Sequence, residues 1–213
     1  MADELTFADG LIDRVLIDAA QIQRRVRALG QEISQDYDGR EVHLIAVLKG
    51  SLVVVADLVR AITPPTSIDF IAVSSYGPAA RSSGAVRLIK DLDQSIEGRH
   101  VLVVEDVIDT GLTLSYILRI LRLRQPASLE IATLLDKPAH RLIDLPLRYV
   151  GFTLPDCFVV GYGLDYQQKL RNLPYLATLK DEVLSADDLS VELCDQTGRV
   201  GASQVAAVTL EED

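Results

Sequence analysis

The residues best equipped for chemistry lie together in VLVVEDVIDTGLTL, Val101 to Leu114. An apolar strand-like run ends in Glu105 and Asp106, then Asp109, and is followed by Thr110, Gly111 and Thr113. Two adjacent carboxylates repel unless a ligand or cation answers them. Carboxylates at a strand end accept hydrogen bonds from the vicinal hydroxyls of a sugar. A Thr-Gly-Leu-Thr turn offers backbone N–H groups, two hydroxyls and a helix N-terminus, which together suit an anion. Gly111 lets the backbone approach that anion closely. A ribose 5-phosphate has its groups in the same order, diol toward the acids and phosphate toward the turn.

Simpler accounts explain less. Asp109, Thr110 and Thr113 are good helix caps, but capping leaves the Glu105–Asp106 pair unexplained. VLVVED also opens receiver domains, but those need their acidic pair near the domain start and a lysine after the last strand. Here about a hundred residues of α/β pattern precede the pair, and DKP (Asp136 to Pro138) follows only one βα unit later. The P-loop pattern G-x-x-x-x-G-K-[ST] is absent from the sequence.

These residues need a frame. A chain of 213 residues, 48% hydrophobic and 24% charged, is long enough for one sizeable core. Aromatics are 5% and Trp is absent, so the core must be aliphatic, as suits a buried parallel sheet. Residues Leu11 to Leu29 read as an amphipathic helix, with Leu11, Val15, Ala19, Ile22 and Val26 on one face. VHLIAVL (Val42 to Leu48) reads as a strand, Leu52 to Ile62 as a helix stopped by TPP, and SIDFIAVSS as a second strand. YGPAARSSG reads as loop, across which AVRLIKD pairs back. A helix from about Thr113 to Arg124, the strand SLEIATLLD and shorter strands in YVGF and CFVVGYG complete the pattern. Alternation of strands and helices implies an α/β domain with a mainly parallel sheet. Ligands bind at the carboxyl ends of such strands. Lys49 to Ser51, Ser74 to Gly77, Glu105 to Thr113 and Asp136 to Pro138 all fall there.

A net charge of −10 speaks against a nucleic-acid binder, which needs a basic face. Two cysteines, Cys157 and Cys194, have neither zinc spacing nor a disulfide framework. No apolar run approaches the roughly 20 residues that span a bilayer, and MADELTFADG lacks a signal-peptide apolar core. A cytoplasmic location without membrane contact is expected.

VVEDVIDTGLTL resembles the phosphoribosyl-pyrophosphate (PRPP) motif of type I phosphoribosyltransferases. VLKGS, DFIAVSSYG, LLDKPAHR and PDCFVVGYGLDYQQKLRNLPYL extend the resemblance, in family order, to the hypoxanthine(-guanine) branch, over roughly Phe7 to Leu179. The resemblance implies the type I phosphoribosyltransferase fold, a mainly parallel sheet flanked by helices, with a small hood and a C-terminal extension. It implies a domain over 1–180 and an extension over 181–213. The activity implied is transfer of the 5-phosphoribosyl group from PRPP to a 6-oxopurine, with Mg²⁺ as cofactor and a homodimer or homotetramer as the assembly. A PRPP-sensing regulator, or a sister transferase acting on xanthine or a pyrimidine, are the alternatives. Retention of Asp109, Lys137 and Phe158 in an acidic chain favours the enzyme.

By the same resemblance, Glu105 and Asp106 hold the ribose hydroxyls, directly or through Mg²⁺, and Asp109 is the general base or proton partner of the purine. Thr110, Gly111 and Thr113 bind the 5-phosphate; Leu112 stands where relatives are often polar. Lys137 donates to the purine 6-oxo group, Phe158 stacks on the ring, and the Val159 backbone reads its edge. Leu48, Lys49 and Gly50 form the pyrophosphate loop with a non-proline cis bond. Arg171 binds pyrophosphate, Asp165 is a metal ligand, and Ser75 and Tyr76 belong to a closing loop. The tail after Leu179 has no counterpart; alternating Val191 and Leu193, with a D-Q-T-G turn before Val200, suggest a hairpin-like appendage.

Overall fold

The computed structural model describes residues 8, 10–75 and 86–185. Its centre is a six-stranded sheet. In chain order the strands are β2 (Val42–Leu48), β3 (Thr66–Ser75), β4 (Val86–Lys90), β5 (His100–Ile108), β6 (Ser128–Asp136) and β7 (Tyr149–Thr153), in spatial order β4-β3-β2-β5-β6-β7. All neighbouring pairs are parallel except β3–β4, the antiparallel return expected of AVRLIKD. The carboxyl ends of β2, β3, β5, β6 and β7 therefore share one rim.

Alternation of side chains across the pleat divides the core into two layers. Leu44, Ala46, Leu102 and Val104 face helices α1 (Ala19–Asp36) and α2 (Ser51–Ala61). Ile45, Val47, Val101 and Val103 face the opposite side, where Leu114, Ile117, Leu118 and Leu121 of α3 (Leu112–Arg122) cover them. β2 is buried along six of its seven residues, which is why it reads as one apolar run rather than an alternation.

The expected helix over Leu11 to Leu29 is corrected. Ile12–Ile17 is strand β1, and the helix begins only at Ala19. Asp18 stops the strand and starts the helix. Its carboxylate accepts from the Gln21 N–H at 2.8 Å, while the Gln21 side chain accepts from the Asp18 N–H at 2.9 Å. Such a capping box contributes about 1 kcal/mol, and the D-x-x-Q spacing was visible in the sequence. β1 pairs antiparallel with β9 (Leu176–Leu179), which pairs with β8 (Val159–Val160). This three-stranded sheet, in order β1-β9-β8, is the small hood. β8 is shorter than CFVVGYG suggested, because Gly161 and Tyr162 turn to positive φ. β9 was not foreseen.

The hood carries its own cluster of Ala8, Val160, Leu170, Leu173, Leu179 and Leu184. Leu184 comes from α4 (Asp181–Ser185), so the first residues beyond Lys180 pack onto the hood. The loop YGPAARSSG and the expected tail hairpin lie outside the described residues. Among the described residues no helix is long and apolar enough to cross a membrane.

Candidate active site

β5 runs two residues further than the acidic pair, to Ile108, and α3 begins at Leu112. Between them lie Asp109, Thr110 and Gly111. Gly111 caps α3 at φ 81°, in the left-handed region that glycine enters without a Cβ penalty. The Thr110 carbonyl accepts from the N–H groups of Leu142 and Ile143 at 3.0 and 3.2 Å. A cavity of about 130 Å³ opens here, lined by Glu105, Asp109, Thr110, Gly111 and Thr113 together with Val107, Ile108 and Leu114. The sequence-derived ribose and phosphate residues thus share one pocket, except Asp106, which alternates to the other side of the strand.

Asp106 meets different company. Gly50 packs so closely against it that a methyl at Gly50 would overlap its carboxylate. The peptide bond between Leu48 and Lys49 is cis, as the resemblance implied. The Lys49 ammonium donates to the Gln168 side-chain oxygen at 2.9 Å. Arg171 pairs with Asp165 at 2.6 Å and donates to the Gly163 carbonyl at 2.8 Å. Asp165 in turn accepts from the Gln168 N–H at 2.8 Å. The expected pyrophosphate and metal residues from three chain segments therefore assemble around Asp106.

Charge explains the assembly. Burial and then the Asp106 charge push the Glu105 carboxyl well above its ordinary range. Burial also raises Asp106, although Arg171 pulls it back in part. Two carboxyls held this way favour any positive charge that reaches them. Among the described residues no group of three or more His, Cys, Asp or Glu side chains converges into a metal cage. Few carboxylates plus substrate oxygens is the ligand set that Mg²⁺ accepts, which suits the adjacent Glu105 and Asp106 carboxyls, whereas Asp165 is held by Arg171.

On the other flank, Asp109 Oδ1 is buried without a hydrogen-bond partner. A buried acceptor left open costs about 1–3 kcal/mol unless something fills it. Lys137 follows β6, and its N–H donates to the Ile108 carbonyl at 2.9 Å. Its ammonium stands 3.3 Å from Asp156 and is only 14% exposed, so it is not the solvated lysine that its position after a strand would suggest. Phe158 is half-buried, edge-on to Tyr166 with ring centroids 6.2 Å apart. Val159 is buried in β8. Ser75 is the last residue of β3; Tyr76 lies outside the described residues.

Reading by motif passed over Asp156, Gln168 and Arg141. All three lie inside quoted stretches but carry no signature of their own; only their tertiary partners show what they touch.

Residues 16–167 match the phosphoribosyl transferase domain family. The chain belongs to this family. It is 50% identical over 172 residues to the hypoxanthine-guanine phosphoribosyltransferase of Bacillus subtilis, covering 81% of this chain and 96% of the relative. It is 52% identical over 180 residues to the enzyme of the same name from Mycobacterium avium, covering 82% and 89%. Among solved structures, a hypoxanthine phosphoribosyltransferase from Staphylococcus aureus superimposes with a TM-score of 0.81 at 45% identity, covering 86% of this chain and 98% of that one.

Proposed function

We propose that the protein transfers the 5-phosphoribosyl group of PRPP to a 6-oxopurine, hypoxanthine or guanine, forming IMP or GMP and pyrophosphate in purine salvage. The observation that carries the reading is the open, buried Asp109 oxygen, set between a phosphate-type turn and a lysine.

The C–O bond from the anomeric carbon to pyrophosphate breaks as the purine nitrogen bonds to the same carbon, and positive charge develops on the ribose. Pyrophosphate leaves against Arg171, the Lys49 ammonium and the backbone of Leu48 to Gly50. The Glu105 and Asp106 carboxyls hold the ribose hydroxyls. Thr110, Gly111 and Thr113 hold the 5-phosphate through N–H and hydroxyl groups at the start of α3. Asp109 takes the purine proton. Lys137, a donor only, meets the 6-oxo group, Phe158 stacks on the ring, and the Val159 backbone reads its edge. Glu105, Asp106 and Asp165 would hold Mg²⁺, which would supply positive charge to offset the departing pyrophosphate. Ser75 and Tyr76 close over the centre and exclude water.

The transferase unit is residues 1–180, with 181–213 as an extension. The protein works in the cytoplasm, where PRPP is made. It works as a homodimer or homotetramer. It has no nucleic-acid partner. The test is a panel of purines and pyrimidines with PRPP, following nucleotide formation with Mg²⁺ and with excess chelator. Nucleotide from hypoxanthine and guanine alone, abolished by chelator, is expected. Turnover of no base, or turnover undiminished in chelator, contradicts the reading.

A further inference from the structure

Arg141 ends the stretch LLDKPAHR, and the chemistry above gives it no task. Its guanidinium is 14% exposed and turned into the protein. Nε donates to the Asp109 carbonyl at 2.7 Å, and Nη2 donates to the Ile108 carbonyl at 3.2 Å and to the Asp136 carboxylate. Its own N–H donates to the Pro138 carbonyl at 3.1 Å, closing the short 3-10 turn Pro138–His140. Lys137 stands at the other end of that turn.

Asp109 lies one residue beyond β5, so no ladder hydrogen bond holds its carbonyl. The guanidinium supplies that bond instead. The same fork reaches Asp136, the residue before Lys137. One side chain therefore ties the carboxylate side of the purine pocket to its ammonium side. It also answers the Asp136 charge. With its donors turned to protein acceptors, Arg141 is not placed as a phosphate ligand. Lysine cannot imitate it, because a single ammonium lacks the planar fork that spans two acceptors.

We propose that Arg141 is a positioning residue for phosphoribosyl transfer. It sets the main chain of Asp109 against the Asp136–Lys137 end of β6, so that the purine meets carboxylate and ammonium at a fixed separation. The inference rests on the proposed function, since it needs Asp109 and Lys137 to share one purine. Misplacing a reacting group by about 1 Å costs on the order of 10²-fold in rate.

The test compares Arg141→Ala and Arg141→Lys with the full-length wild type, using hypoxanthine, PRPP and Mg²⁺, with Tm as the control on folding. In both variants kcat is expected to fall about 10- to 100-fold, while KM for PRPP stays within about threefold. Guanidinium at millimolar concentration is expected to restore part of the kcat of Arg141→Ala without raising its Tm and to leave wild type unchanged; a merely structural arginine would show its loss and its rescue in Tm. An Arg141→Lys kcat within twofold of wild type overturns the proposal, as does a folded Arg141→Ala that guanidinium does not rescue. If Arg141→Ala does not fold, Arg141→Lys decides: lost kcat at wild-type Tm supports positioning. If neither folds, the arginine serves stability and the proposal falls. A wild type that turns over no purine overturns the proposed function and this role with it; an active wild type with unaffected variants overturns this role alone.

Discussion

The Lys137 ammonium stands 3.3 Å from one oxygen of Asp156, and the other oxygen of that carboxylate stands 3.3 Å from His140 Nδ1. Lys137 and Asp156 are both largely shielded, at 14% and 20% exposure. An ammonium held this way is a fixed donor, and the proposed function places it at the purine. Phe158, two residues after Asp156, brings an aromatic face on the same segment.

Base choice should follow from that donor. Adenine presents an amino group where hypoxanthine presents an oxo group, so donor would face donor. Rejection by an unpaired buried polar group reaches about 10⁴. Hypoxanthine and guanine are expected to react and adenine not, as measured by kcat/KM for each base. Asp156→Asn is expected to raise KM for hypoxanthine about 3- to 10-fold, since losing a partly shielded ion pair that holds the ammonium costs about 1 kcal/mol. Comparable turnover of adenine would remove Lys137 from the pocket.

Asp109→Asn isolates proton transfer. The change is nearly isosteric, and Arg141 grips the main chain of Asp109 rather than its side chain, so packing should survive. A fall in kcat of about 10²-fold or more is expected, the scale of general acid–base help. PRPP affinity, measured by calorimetry, should hold. If kcat stays within a few-fold, Asp109 serves only the turn.

Glu105 makes stability depend on pH. Its folded-state pKa is raised above the ordinary carboxyl range by burial and by the Asp106 charge. Above the unfolded pKa the unfolded chain releases this proton while the folded chain keeps it. The Glu105 contribution is therefore full below about 4.3 and is lost as pH rises through the folded value. Asp36, Asp57 and Asp69 are depressed and act in the opposite sense as pH falls, so the comparison must be between variants. Glu105→Gln cannot ionise. Its Tm, relative to wild type without ligand, should rise as pH climbs above about 4.3 toward the raised folded value, by about 2–4 °C per kcal/mol for a chain of this size. A pH-independent difference would show that Glu105 does not titrate in this window.

The tail is expected to be dispensable for chemistry. Leu184 is 7% exposed in the hood cluster. Truncation after Ser185 should leave kcat within a few-fold and Tm nearly unchanged. Truncation after Lys180 removes Leu184 and should lower Tm, given a cost of about 2–5 kcal/mol for emptying a buried leucine site. Loss of activity in a folded chain ending at Ser185 would mean that the removed residues complete the active site.

By itself, the sequence determined what local physics can encode. β2 stands at Val42–Leu48, the bounds its apolar run marked. Glu105, Asp109, Thr110, Gly111 and Thr113 line one pocket because a strand end and a helix start place near neighbours together whatever surrounds them. Even the D-x-x-Q cap of α1 was there to be read. The tertiary structure alone decided the rest. Ile12–Ile17 is a strand rather than the start of a helix because Leu176–Leu179 comes from the far end of the chain to pair with it. Lys137 is a shielded donor because Asp156 reaches it, and Asp106 has Gly50 and Arg171 beside it because three loops meet on one rim. Arg141 looked like any arginine after a strand; its meaning lies in two carbonyls and a carboxylate contributed by β5, β6 and the turn between β5 and α3. Periodicity reports on residues within about one helical turn of each other, whereas these partners meet only after the sheet has closed the loops between them.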